Sequence, residues 1–319
     1  MKVIRASTGA VIVLLSVACG SNTTPAHAVV KSVSGGWNYA LALKSDGSVW
    51  SWGAHDDGEL GNGTTAESLA PQAIKTLSRG VVAIAAGWDA GVALKSDGSV
   101  WTWGKNDRGQ LGDGTNVSSS TPTRVAGLKG KVTAIAAGLA FVLVLKSDGT
   151  VWGWGDDFQG QLGNSDNTDS PAPVAVQGLT AKVVSIAAGK AHSLAIEADG
   201  SVWAWGDNSG NQLGRDTADP YQNTPLRVDG LSGHAAAVAG GLDHSAAILT
   251  DGTVWTWGRA FIPSGDYMGS DTPIQMPALT SVKQVFGGWD FFVALEANGS
   301  VMSWGENLDT LGDAPEPTA

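Results

Sequence analysis

Acid–base chemistry in this chain would have to come from four histidines beyond residue 28, namely His55, His192, His234 and His244, or from its carboxylates. His192 and His244 invite reading as a catalytic pair. Both, however, occupy one position of an internal repeat that is held elsewhere by Tyr39, Ala90, Phe141 and Phe291. A position that accepts Tyr, Phe, Ala and His is a packing position, and its copies lie one repeat apart. The carboxylates are scattered through turns and loops, so they define no acid–base pair. Cys19 is the only cysteine, and neither H-E-x-x-H, G-x-S-x-G nor a glycine-rich phosphate loop occurs. No catalytic residue, metal or cofactor is therefore expected, and the chain reads as a non-enzyme. The residues suited to recognition are three tryptophans, each followed by a short polar residue: Trp37-Asn38, Trp88-Asp89 and Trp289-Asp290. Aromatic side chains beside hydrogen-bonding groups suit a protein hot spot or, as the alternative, stacking on a carbohydrate or cell-wall ligand.

The remaining 11 of the 14 tryptophans belong to a motif that positions everything else. V-W-x-W-G is written at Val49–Gly53, Val100–Gly104, Val151–Gly155, Val202–Gly206 and Val254–Gly258, and again as Val301-Met302-Ser303-Trp304-Gly305. A period near 50 residues over most of the chain signals a radially repeated architecture. One unit reads clearly from 81 to 127. Val81–Ala86 is a small-residue apolar run, and Gly91–Leu94 follows a short turn. Asp97-Gly98 is a hairpin signal, and Val100–Trp103 is β-branched and aromatic. A polar loop ending Gly109-Gln110-Leu111-Gly112 leads to Thr121–Val125, whose proline suits an outer edge strand. Four antiparallel strands in this span make one propeller blade. The turn aspartates, such as Asp97, supply one carboxylate each, too few for calcium.

Two residues apart on one strand, the motif's tryptophans share a face of the sheet and are expected to pack against the adjoining blade. The Trp37, Trp88 and Trp289 column falls in the turn after each unit's first strand. Its other members are Leu139, Lys190 and Leu242. In an antiparallel blade that turn lies at the same end as the G-Q-L-G loops and nearer the axis. With six units in a ring, the sixth, first and second are neighbours, and the three tryptophans cluster on one half of that face. The same rings could also fold over the axial opening and plug it.

The combined pattern, A-A-G followed after five residues by A-L, then D-G, V-W-x-W-G and G-Q-L-G, resembles the regulator of chromosome condensation repeat family. The resemblance covers about residues 29 to 312. It implies an all-β propeller of four-stranded antiparallel blades, usually seven. The count here is six, so a six-bladed ring is expected, with a seven-bladed or imperfectly closed ring as the alternative. Two departures stand out. The fifth unit replaces G-Q-L-G with Ser264–Gly269, and the sixth stops shortly after Leu311-Gly312 without an outer T-P-x-x-V segment. The aromatic-after-glycine turn is similar to one that secreted bacterial members of this family use to grip a target enzyme, which implies a protein partner, such as an envelope enzyme. Nucleotide exchange, the activity of the family's founding nuclear member, is not implied.

Residues 1–28 read as a signal segment and short linker, and 29–319 as a single propeller domain. Lys2 and Arg5 precede an apolar run from Ala10 to Ala18. Leu15-Ser16-Val17-Ala18-Cys19 resembles a bacterial lipobox with Cys19 as the lipidated residue, and Ala26-His27-Ala28 is a competing cleavage site. Export is expected, to the cell envelope as a lipoprotein in preference to free secretion, with any membrane contact made through the lipid. Beyond residue 28 the chain carries 17 Lys+Arg against 30 Asp+Glu. That balance repels phosphate backbones, so no nucleic-acid partner is expected.

Overall fold

The computed structural model describes residues 28–53, 56–215, 217, 219–261 and 267–305. These form six antiparallel sheets in chain order, one per repeat, and the protein is a six-bladed β-propeller. The seven-bladed alternative is set aside. Five sheets have four strands with sequential neighbours, and the sixth has three described strands, Val282–Gly287, Phe291–Glu296 and Val301–Gly305. The second blade shows the pattern: Val81–Ala86 innermost, then Ala90–Lys95, Val100–Gly104 and Ser119–Arg124 outermost. Cys19, His55, the Ser264–Asp266 part of the fifth unit's departure and the Leu311-Gly312 end lie outside the described residues.

The hairpins are set by their turns. Asp97 Oδ1 accepts from Ser99 N at 2.9 Å and Ser99 Oγ at 2.7 Å, and Gly98 takes φ +85° in the left-handed region. These bonds draw the Asp97 carboxyl below its ordinary range, the side-chain bond from Ser99 contributing most. The carboxylate is thus engaged in holding a turn. Ser99 Oγ in turn accepts from Trp101 Nε1 at 3.2 Å, and Lys95 Nζ lies 4.7 Å from the centre of the Trp101 ring. The same arrangement recurs at Trp50 and Trp152, with Lys44 and Lys146 over the rings.

The motif's two tryptophans therefore differ, although they share a face as expected. The first is half-buried and tied to its own hairpin. In four interfaces the second is fully buried: Trp103, Trp154, Trp205 and Trp257 are at most 1% exposed. Each reaches the blade before it. Trp154 packs with Val92, Leu94 and Val100 of the second blade and donates Nε1–H to Gln110 O at 3.0 Å. Trp103, Trp205 and Trp257 make the equivalent bonds to Glu59 O, Gln161 O and Gln212 O. Gly112 explains the last letter of G-Q-L-G, because a Cβ there would come within 2.7 Å of the Trp154 ring nitrogen. The loop is a socket for the next blade's tryptophan. Full burial of such a ring removes about 150–250 Å² from water, on the order of 4–6 kcal/mol before conformational costs.

The fifth unit lacks that socket motif. There Val254–Phe261 and Tyr267–Gln275 run on as a longer hairpin, with Arg259 opposite Gly269 and Phe261 opposite Tyr267.

Candidate functional site

The turn after each inner strand is built on glycine. Gly36, Gly138, Gly189, Gly241 and Gly288 lie against the side chain three residues on, so closely that a Cβ would fall inside the ring of Tyr39, Phe141, His192, His244 or Phe291. The ring beneath the glycine in turn faces the adjoining blade, as where Tyr39 Oη donates to Gly87 O at 3.2 Å. His192 and His244 are buried members of this packing column. Burial holds them near pKa 3 and 4, and both are neutral at physiological pH. His192 Nε2 and Ser245 Oγ are 2.9 Å apart, whereas neither ring nitrogen of His244 has a partner among the described residues. The pair has no access to substrate, and its position is structural, as its repeat column indicates.

With glycine at the neck, successive turns approach closely enough to bond backbone to backbone. Trp37 N donates to Trp88 O, Trp88 N to Leu139 O, Leu139 N to Lys190 O, Lys190 N to Gly241 O, and Leu242 N to Trp289 O. Among the described residues no such bond joins Trp289 to Trp37, so the relay has one gap, between the sixth and first blades. The six turns together line a cavity at the propeller axis that opens between Trp37, Trp88, Leu139, Lys190, Leu242 and Trp289.

Across that gap the contact is aromatic. Trp37 and Trp88 stack with ring centres 4.0 Å apart and planes 12° from parallel. Trp289 leans on both, 5.1 Å from Trp37 at 55° and 4.8 Å from Trp88 at 66°. All three are half-buried. The clustering inferred from a six-unit count is present, and the rings cover one half of the axial mouth while keeping solvent-facing surface. Binding and plugging are compatible here. The stacked faces of Trp37 and Trp88 are occupied by one another, which leaves fewer free faces for a sugar ring.

Beside the cluster, Asn38 is exposed, and Asp89 and Asp290 are half-buried. In the amide orientation that satisfies both groups, Asn38 Oδ1 accepts from Trp37 Nε1 at 3.0 Å, fixing that indole. Lys105 lies between two carboxylates, 3.8 Å from Asp89 and 3.7 Å from Asp107, and its backbone N donates to Asp89 O. Burial raises the pKa of Asp89; Lys105 opposes the rise, and Asp57 and Asp107 add to it. Glu59 is raised too, chiefly by burial with Asp89 among its neighbours. The outer loops of the first and second blades thus supply a rim to the axial cluster. Lys105, Asp57 and Glu59 were not singled out in the sequence. Their only signal was that the third strand's end lies beside the first turn in an antiparallel blade.

Among the described residues no group of three or more His, Cys, Asp and Glu could hold a metal ion, and no helix is long and apolar enough to cross a membrane.

Comparison with known proteins agrees with the fold. Solved structures with the same architecture include human WBSCR16, with a TM-score of 0.81 at 24% identity over 90% of this chain and 78% of that one. Prp20p from Saccharomyces cerevisiae has a TM-score of 0.76 at 28% identity over 86% of this chain and 72% of that one. The structure of Prp20p was described together with its binding to Gsp1p and histones. Curated relatives include the human E3 ubiquitin-protein ligase HERC2, 36% identical over 70% of this chain, which spans 5% of that ligase. The ultraviolet-B receptor UVR8 of Arabidopsis thaliana is 31% identical over 73% of this chain, which spans 53% of the receptor. The model of the RCC1-like domain matches residues 14–316, and the chain belongs to the RCC1-like domain family.

Proposed function

We propose that this propeller is a non-catalytic scaffold that binds another protein through the Trp37, Trp88 and Trp289 end. The observation that carries the reading is the half-exposed cluster of three mutually packed tryptophans at the axial mouth. Rings already in contact and held by bonded backbone turns lose little freedom on docking, so their burial goes largely into affinity. Asn38, Asp89 and Asp290 orient the partner. That Prp20p, of the same fold, binds other proteins supports this class of function without naming a partner here.

The test is affinity capture from a cell-envelope extract with the intact protein and with the Trp37→Ala/Trp88→Ala/Trp289→Ala variant, each checked for folding by circular dichroism. Loss of a specific partner from the folded variant is expected, and its undiminished recovery would remove the assignment. Export, with lipidation at Cys19 placing the propeller at the cell envelope, belongs to the same proposal and rests on the N-terminal sequence. The intact mass of the mature protein separates a lipidated Cys19 terminus from a Val29 terminus.

A further inference from the structure

Negative charge is not spread evenly over the propeller. Alternation of antiparallel strands puts the first turn and the third-to-outer-strand loop of every blade at one end, and the D-G turns and blade-to-blade links at the other. Among the described residues the segments at the tryptophan end carry 14 Asp or Glu against 4 Lys or Arg, whereas those at the opposite end carry 6 against 5. The chain's acidity is therefore concentrated around the aromatic cluster. Its cations there are largely spoken for. Lys105 sits between Asp89 and Asp107, Arg108 Nη1 is 3.1 Å from Asp169, and Arg215 Nε is 3.5 Å from Asp229 of the link that follows its blade; the fourth, Lys190, lines the axial mouth across from the tryptophans and acts on Asp243.

Two parts of this arrangement select the same chemistry. Indole faces at a mouth bounded by carboxylates attract a cation lying over a ring, and the low-dielectric wall of a concave surface strengthens that attraction. The molecule already pairs ammonium groups with indoles elsewhere, with Lys44 Nζ 3.5 Å from the Trp50 ring centre and Lys146 Nζ 3.8 Å from that of Trp152. An acidic or phosphate-bearing segment at the same end would meet a net field of its own sign.

We infer that the partner engages the tryptophan end with a basic segment, a loop or extended peptide whose Lys or Arg side chains lie against Trp88 and Trp289 and face Asp89, Asp243 and Asp290. This rests on the protein-binding reading above and specifies the chemistry of its partner.

The probe is a set of three 12-residue fluorescein-labelled peptides of equal length, one Lys/Arg-rich, one Asp/Glu-rich and one Ser/Gly-rich, titrated into the intact protein by fluorescence anisotropy. At about 20 mM NaCl the basic peptide is expected to bind at least tenfold more tightly than the other two. That preference should fall at least tenfold by about 300 mM salt, where the Debye length is well under 10 Å. Asp89→Asn/Asp290→Asn should weaken the basic peptide at least fivefold, and Trp88→Ala as much, while Asp148→Asn at the opposite end leaves it unchanged. Equal binding of the three peptides overturns the inference, and so does loss that is as large in Asp148→Asn. The Asn pair keeps the shape of the site, so it remains informative if Trp88→Ala unfolds. If envelope capture recovers a partner through the tryptophans and that capture persists in high salt and in the Asn pair, the protein-binding reading stands and the basic partner fails.

Discussion

The propeller has two kinds of blade interface. Between the first and fifth blades, Trp103, Trp154, Trp205 and Trp257 are all fully buried, and each donates its ring N–H to the second residue of the preceding G-Q-L-G, G-E-L-G or N-Q-L-G loop. The two interfaces of the sixth blade break that pattern. Trp304 is buried at 3% exposure, yet its Nε1 has no partner among the described residues, and Trp52, the first blade's copy of the second tryptophan, is only half-buried. Sequence accounts for the first difference, because the unit before Trp304 lacks the socket loop. The repeat's cohesion lies in a two-part joint, tryptophan and socket, and losing either part weakens the joint while leaving the sheet intact. The axial tryptophans sit at this interrupted side of the ring. Where the backbone relay has its gap, between Trp289 and Trp37, the tilted contact of the two indoles makes the connection.

The largest way to break the contrast is truncation. Trp154→Ala removes a fully buried ring from the second and third blades and is expected to cost about 3–5 kcal/mol. Trp52→Ala, from a half-buried position, should cost about half of that. Urea unfolding of both variants with a common slope checks it. Equal losses would mean that the sixth and first blades close as tightly as the others.

Much of this was legible. The D-G turns, the strand order and the six-unit count follow from local chemistry repeated at fixed spacing, and count alone was enough to make Trp37, Trp88 and Trp289 neighbours. The inequality of the two motif tryptophans was not legible. Trp101 and Trp103 look alike in sequence, and only the packing of blade on blade sends one into the preceding blade's socket and leaves the other beneath Lys95. The rim of the candidate site was only partly visible, since Lys105 reaches Asp89 from a loop of variable sequence. No spacing rule specifies such a contact.

A smaller effect separates equivalent loops within the well-jointed blades. Asn106 and Asp157 hold the same loop position. Asn106 Oδ1 accepts from Leu111 N, and its Nδ2 donates to Thr115 O at 2.9 Å and Val117 O at 3.1 Å. Asp157 Oδ1 accepts from Leu162 N in the same way, but its buried Oδ2 has no partner where the Asn106 amide finds two carbonyls. Burial, with Asp166, Asp156 and Asp169 nearby, pushes the Asp157 pKa up to about 8. The folded state therefore keeps a proton that the unfolded chain loses near pH 4. That stabilisation is complete below pH 4 and is lost as pH rises to about 8. Asp157→Asn supplies the amide donor at every pH. It should raise Tm by several degrees at pH 8, on the order of 1–3 kcal/mol, with little gain at pH 4. A gain independent of pH would show that Asp157 is ionised throughout.

The finest contrast concerns a single hydrogen bond. Trp→Phe keeps an aromatic ring in the interface and deletes the ring N–H. At Trp205 the loss takes a donor from Gln161 O, although Ser193 Oγ still donates there at 2.7 Å, so the carbonyl is not left bare. The expected cost of Trp205→Phe is the packing change plus about 1 kcal/mol for the lost bond. At Trp304 there is no bond to lose among the described residues, and removing a buried, unpartnered N–H relieves a desolvation cost. Trp304→Phe should therefore be milder by about 1–2 kcal/mol, a difference resolved by thermal unfolding of the two variants in parallel. An equal cost would mean that the Trp304 N–H is satisfied in solution, and that the joint between the fifth and sixth blades is as complete as those between the first five.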